Sequence, residues 1–197
     1  MPAPLTSSDV REAIRAQGLA SAALVPAAEE TPHCSDAAAG ANCVDGGAGA
    51  GEMAVKSLCV IAKDAPLVAV LPASRKLDLL KVARQQRLVL SSRKALGRQL
   101  RLATTAECVS IFGYLPGSVP PLAHRTAVPI LLDAACLAAE LLLAGGGSAD
   151  TLLRMAPSEL SQLSLVSLAD LSQDKAAPAP REDGAGAPCA LGGRGGG

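Results

Sequence analysis

The ten residues Phe112-Gly113-Tyr114-Leu115-Pro116-Gly117-Ser118-Val119-Pro120-Pro121 hold the only Phe and the only Tyr of a 197-residue chain that has no Trp. The hydrophobic core must therefore be almost wholly aliphatic, built from Leu, Val, Ile and Ala. Two glycines and three prolines set the backbone of the same stretch. Glycine permits close approach and positive φ, while proline fixes φ and removes an N–H, so a stiff loop with accessible amides is expected. The plainer reading is a surface turn whose two rings fill the space beneath it.

A chain of this length suits one domain with tails. Residues 7–17 place Val10, Ala13, Ile14 and Gln17 on one helical face, with Asp9 and Glu12 at capping-box spacing and Gly18 as the stop. Leu24-Val25 predicts a brief strand. Residues 37–51 are dominated by Ala, Gly, Asn and Asp and read as a flexible insertion. The apolar runs 57–62 and 67–71, around Lys63-Asp64-Ala65-Pro66, carry a hairpin signal. Ser74 is placed to cap a helix running to about Gln85, and Leu88–Leu90 predicts a third short strand. Thr104-Thr105-Ala106-Glu107 has the capping box of a helix ending at Gly113. Residues 127–132 predict a strand, with Pro129 pointing to an edge or a bulge. Residues 140–144 and 151–155 form a second hairpin, and residues 157–163 a helix with proline in its first turn. Residues 166–171 follow. Short strands interleaved with helices give a mixed α+β (α/β) domain over 7–172, between a flexible start at 1–6 and a disordered tail at 173–197.

Formal net charge is zero, but it is unevenly spread. Arg75, Lys76, Lys81, Arg84, Arg87, Arg93, Lys94, Arg98 and Arg101 are opposed locally only by Asp78, nine cations less one acid, a local charge of +8. Such a block is the footprint of a polyphosphate partner or the solvated face of a helix. Six cysteines show no CxxC and no ligand-like pairing with His33 or His124, so neither a metal site nor a disulfide framework is expected. The start lacks a secretory signal. The longest apolar run, 130–144, is too short to span a bilayer and contains Asp133 and Glu140. A soluble, cytoplasmic protein is expected, an organelle remaining open.

Lys56 stands at the head of an apolar run in Val55-Lys56-Ser57-Leu58. Such a lysine either holds an anionic or polar group of a ligand or snorkels to solvent. No Ser/His/Asp or Cys/His arrangement suggests a dedicated nucleophile.

The order of Val55-Lys56-Ser57-Leu58, the first hairpin, Arg101-Leu102-Ala103, the run from Gly113 to Leu122, and Ile130-Leu131-Leu132-Asp133 resembles the YbaK / prolyl-tRNA-synthetase-associated editing domain family. Gly146-Gly147-Ser148-Ala149-Asp150 and Pro157-Ser158-Glu159-Leu160 extend the resemblance, which covers roughly 53–171. Two residues depart from the pattern: Phe112 stands where the family usually has Thr, and His124 where a glycine is common.

The resemblance implies a curved, largely antiparallel central sheet flanked by helices. It implies hydrolysis, in trans, of the ester of mischarged aminoacyl-tRNA, without cofactor or metal and with the tRNA acceptor end as partner. Lys56 aligns with the family's essential lysine and Gly117–Pro121 with its GxxxP loop. The amides of Gly117, Ser118 and Val119 are then the candidates for stabilising an oxyanion, since Pro120 and Pro121 have none. Ser57, Tyr114, Pro120, Pro121 and Asp133 are expected to line the substrate. The basic residues from Arg75 to Arg101 are expected to meet acceptor-stem phosphates. A catalytically silent domain that binds tRNA or a protein is the alternative.

Overall fold

In a computed structural model of the protein, residues 2–27, 51–89 and 92–174 are described. Most of the glycine-rich insertion, Leu90 and the tail beyond Asp174 lie outside them. The sheet is organised around a hairpin of β2 (Glu52–Ala62) and β3 (Ala65–Pro72), with Lys56 opposite Leu71 and Ala62 opposite Ala65. Its turn is the two residues Lys63 and Asp64, at φ 46° and 66°, the pair of positive angles that matches the strand twist. The expected four-residue connection is thus shorter, because Ala65 and Pro66 join the ladder.

A second hairpin, β7 (Leu141–Gly145) and β8 (Thr151–Met155), is antiparallel, and β1 (Ala23–Pro26) adds antiparallel to β8. Strand β7 lies parallel to the start of β2, while β5 (Leu100–Leu102) lies antiparallel to its far end. Since β3 occupies one edge of β2 along its length, β7 and β5 share the other, and the sheet forks between them. On the far side β6 (Ile130–Asp133) runs parallel to β3, and β9 (Val166–Ala169) parallel to β6. The path is β1-β8-β7-β2-β3-β6-β9, with β5 on β2. The fold is the mixed α/β class expected, its sheet mostly antiparallel. A separate ribbon pairs β4 (Lys76–Leu77) with β10 (Ser172–Gln173), so Gln173 belongs to the packed structure.

Helix α1 (Ser7–Gln17) spans the expected residues, but its capping box is Thr6 with Asp9 rather than Asp9 with Glu12. Helix α2 (Leu79–Gln85) is capped by Asp78, not Ser74, because Lys76 and Leu77 are taken by β10. Leu88 and Val89 form no strand; Val89 is 81% exposed, and the third strand beside the hairpin is β5, reached through α3 (Arg93–Gln99). Helix α4 (Thr105–Glu107) has the expected Thr104/Glu107 box and continues as a π-turn over Cys108–Phe112 to Gly113. Helix α5 (Pro157–Gln162) opens on proline. Pro129 marks neither an edge nor a bulge: β6 starts after it and is interior, and Pro129 serves the sheet through its carbonyl, which accepts from Val68 N at 2.9 Å.

Alternation along β2 divides the core. Val55, Cys59 and Ile61 pack with Phe112, Tyr114, Val119 and Leu132 on one face, and Val60 and Ala62 with Val82, Ala83 and Leu100 on the other.

Candidate functional site

Lys56 sits on β2 between the stretch paired with β7 and the stretch paired with β5. Its half-buried ammonium donates to Ala73 O at 3.0 Å and to Arg75 O at 2.5 Å. Arg75 N in turn donates to Pro72 O at 3.1 Å, so the lysine closes the turn that leaves β3. Ser57 is the next residue, and a strand sends neighbours to opposite faces. Its side chain therefore shares the face of Val55 and Cys59, and its Oγ is buried with no hydrogen-bond partner among the described residues. The structure thus splits a pair that the sequence suggested would act together.

The loop after Gly113 is built by local chemistry. Leu115-Pro116-Gly117-Ser118 has proline second and glycine third, Gly117 at φ 95°, and Ser118 N donating to Leu115 O at 3.2 Å. That is the signature of a type II turn, which needs a residue tolerant of positive φ in third place. Ser118 Oγ also donates to Leu115 O, at 3.0 Å. Ser118 O accepts from Gly147 N at 3.0 Å. Beneath the loop lies Gly145, where a Cβ would stand 2.7 Å from Val119 O and 2.8 Å from Ser118 O. The turn consumes the Ser118 amide; the amides of Gly117 and Val119 have no acceptor among the described residues. By alternation Gly145 shares the face of Leu143, which clusters with Ala54 and Ala73, and Lys56 lies on that same face of β2. No hydrogen bond among the described residues joins Lys56 to the loop.

The rings of this stretch face inward. Phe112 and Tyr114 are fully buried, and Tyr114 Oη donates to Ala123 O at 2.8 Å, so Tyr114 props the loop and presents no surface to a substrate. The plainer reading of the two rings, as filling beneath a turn, describes their side chains. Pro120 and Pro121 are buried as well. Asp133, expected near the substrate, is 1% exposed, and its oxygens accept from Ala135 N at 2.8 Å and Leu171 N at 3.0 Å. A carboxylate with both oxygens engaged by backbone amides ties the end of β6 to the segment leading into β10. His124, singled out in the sequence only as a departure, lies edge-on to both rings, and its Nε2 is 3.0 Å from Pro120 O.

The basic block is partly neutralised by acids from outside it. Arg75 pairs with Asp174 at 3.0 Å, Lys81 with Asp170 at 2.7 Å, and Arg101 with Glu107 at 2.7 Å. Setting those three carboxylates against the block lowers its charge from +8 to +5. The Glu107 carboxyl is held down to about 2, chiefly by its bonds from Arg101 and then by those from Thr104. Lys76, Arg84, Arg87, Lys94 and Arg98 are exposed, and β4 begins immediately after the turn that Lys56 closes. The thiols of Cys59 and Cys108 are buried and unbridged, and Cys136 is buried. Among the described residues there is no cluster able to hold a metal ion and no helix long and apolar enough to cross a membrane.

The sequence pattern of the aminoacyl-tRNA editing domain matches residues 28–163. Among solved structures, the chain is similar to one described as a candidate trans-editing enzyme for prolyl-tRNA synthetase. The two share 28% identity with a TM-score of 0.69, over 85% of this chain and 96% of the other. It is also similar to a hypothetical protein, at 26% identity and a TM-score of 0.69 over 84% and 99% of the two chains. A designed scaffold for presenting linear epitopes shares 25% identity at a TM-score of 0.67, over 86% and 97%. No functionally curated protein matches the sequence.

Proposed function

The chain belongs to the aminoacyl-tRNA editing domain family, and we propose that it acts in trans as a deacylase, hydrolysing the ester between a wrongly attached amino acid and the terminal ribose of tRNA. The observation that carries this reading is the pair of amides at Gly117 and Val119. They have no acceptor among the described residues and sit in a loop fixed by its own turn, by Gly147 and by close packing on Gly145. When water adds to the ester carbonyl, negative charge grows on the carbonyl oxygen, and fixed donors aimed at that charge lower the barrier. The ester C–O bond then breaks, releasing the amino acid and the tRNA hydroxyl. Ser118 contributes geometry rather than its amide, which the turn already uses.

Lys56 lies on the face of β2 that Gly145 shares on β7, where the backbone of Ser118 and Val119 comes close to the sheet. Its two carbonyl bonds hold the ammonium in one orientation, suited to fixing a phosphate or a ribose or amino-acid polar group beside the loop. The exposed cations Lys76, Arg84, Arg87, Lys94 and Arg98 would follow acceptor-stem phosphates. With no dedicated nucleophile among the described residues, the chemistry is positioning and electrostatics, with the neighbouring ribose hydroxyl assisting the water.

One observation favours the second reading, a tRNA-binding domain without catalysis. Among the described residues, the Lys56 ammonium bonds the backbone carbonyls of Ala73 and Arg75 and no atom of the loop. The two readings separate in hydrolysis of a panel of aminoacyl-tRNAs by the wild-type protein and by Lys56→Ala. Loss of one or two esters, abolished in a variant that still folds and melts as wild type, supports the deacylase. Intact esters with tRNA retained at low salt support the binding domain, and a fully active Lys56→Ala removes the lysine from the mechanism.

A further inference from the structure

His124 and Phe112 are the two positions where the sequence departs from the pattern it resembles, and the fold brings them into contact. Their ring centroids are 6.1 Å apart at 86°, and His124 meets Tyr114 in the same edge-on manner at 6.4 Å and 82°. The imidazole is thus wedged against the chain's only Phe and only Tyr, with Nε2 3.0 Å from Pro120 O. A carbonyl can only accept, so Nε2 carries the hydrogen in this arrangement.

The consequence runs through the backbone. Pro120 and Pro121 have no N–H, so the carbonyls of this segment are its only backbone handles. Ser118 O, in the same peptide plane as the Val119 amide, is held by Gly147 N at 3.0 Å. A trans peptide points its C=O and N–H in opposite directions, so this bond turns the Val119 N–H away from Gly147. On the other side of Val119, proline fixes φ at residue 120, and His124 holds the carbonyl that follows. The amide is therefore clamped from both flanks.

We infer that His124 is a positioning residue, which sets the direction of the Val119 amide by donating from Nε2 to the Pro120 carbonyl. The inference rests on the deacylase reading for its catalytic consequence, but not for its geometry. Desolvation pushes the ring down to about 4, against the opposing pull of the Pro120 carbonyl, so the imidazole is neutral at physiological pH. The ring also borders a cavity of about 690 Å³ lined by Gln17, Arg125 and Gln162 among others. Nδ1 has no partner among the described residues, so nothing described there competes for the other tautomer.

The test compares His124→Leu, which keeps bulk without a donor, with His124→Gln, which restores an N–H donor. Urea midpoints are measured for both, so that rates refer to folded protein. For the leucine variant kcat is expected to fall about 10-fold to 100-fold with KM nearly unchanged, as for a misplaced transition-state donor. The glutamine variant is expected to recover most of that loss. A leucine variant with wild-type kcat overturns the inference, as does an equal loss in both variants, which would mean ring packing alone. Nitrogen-15 NMR of the ring at pH 7 is expected to show the Nε2–H tautomer, and the Val119 amide resonance to move in His124→Leu. These readouts need no turnover: an Nδ1–H ring or an unmoved Val119 amide rejects the clamp. A wild-type protein that cleaves no ester, yet passes both NMR tests, rejects only the deacylase reading.

Discussion

Replacing Gly145 by alanine puts a single methyl where the loop backbone already lies. The added Cβ would meet Val119 O at 2.7 Å and both Ser118 C and Ser118 O at 2.8 Å, whereas ordinary contact begins at 3.4 Å. Relief needs a shift of about 0.7 Å. The atoms met are backbone, not the end of a flexible side chain, and β7 is held between β2 and β8. The loop must therefore move, and Ser118 C is bonded to the nitrogen of the Val119 amide. Overpacking of this kind costs about 1–3 kcal/mol. A donor displaced by most of an ångström from a developing oxyanion loses on the order of tenfold or more in rate. The assay is single-turnover deacylation of whichever aminoacyl-tRNA the wild type cleaves, beside urea unfolding of the same preparations. Gly97→Ala is the control. It lies on α3 with nothing within 4 Å of its added Cβ, so it should leave the rate alone and stabilise by about 0.5–1 kcal/mol. Gly145→Ala with a rate within twofold of wild type and an unchanged midpoint would refute the argument that this glycine sets the loop.

Asp133→Ala leaves the amides of Ala135 and Leu171 without their acceptor, for a loss of about 2–4 kcal/mol in urea unfolding. The rate per folded molecule should persist; a folded but inactive Asp133→Ala would return this residue to the substrate site. His124 titrates near 4 in the fold, below its ordinary 6.5, so between those values the unfolded chain binds the extra proton. Stability is expected to be flat in this respect above pH 6.5 and to fall by roughly 3 kcal/mol as pH drops to 4, a slope absent from His124→Gln. If the exposed cations follow a phosphate backbone, neutralising Arg84, Arg87, Lys94 or Arg98 should each lower the slope of log binding constant against log salt by about 0.7–0.9. Lys81→Gln should change that slope little, because its ammonium is already held by Asp170 and Ser172 O. Equal effects from Lys81 and Arg84 would reject this division of the block.

Features decided within three or four residues were legible before folding. The caps at Thr104/Glu107 and Gly18, the two hairpins, the proline opening α5 and the stiff Leu-Pro-Gly-Ser turn follow from torsional preference and local hydrogen bonding, which distant sequence barely alters. The place of Lys56 on a strand was readable too. Which cations remain available was not, since Lys81 meets an acid 89 residues away and Arg75 one 99 residues away. Nor could the sequence reveal that Asp133 is consumed by two backbone amides, that Gly145 lies under the loop, or that two departures from a family pattern touch each other. Local rules fix torsions, but partners are chosen by chain segments that meet only when apolar burial brings the sheet together, and the site depends on both.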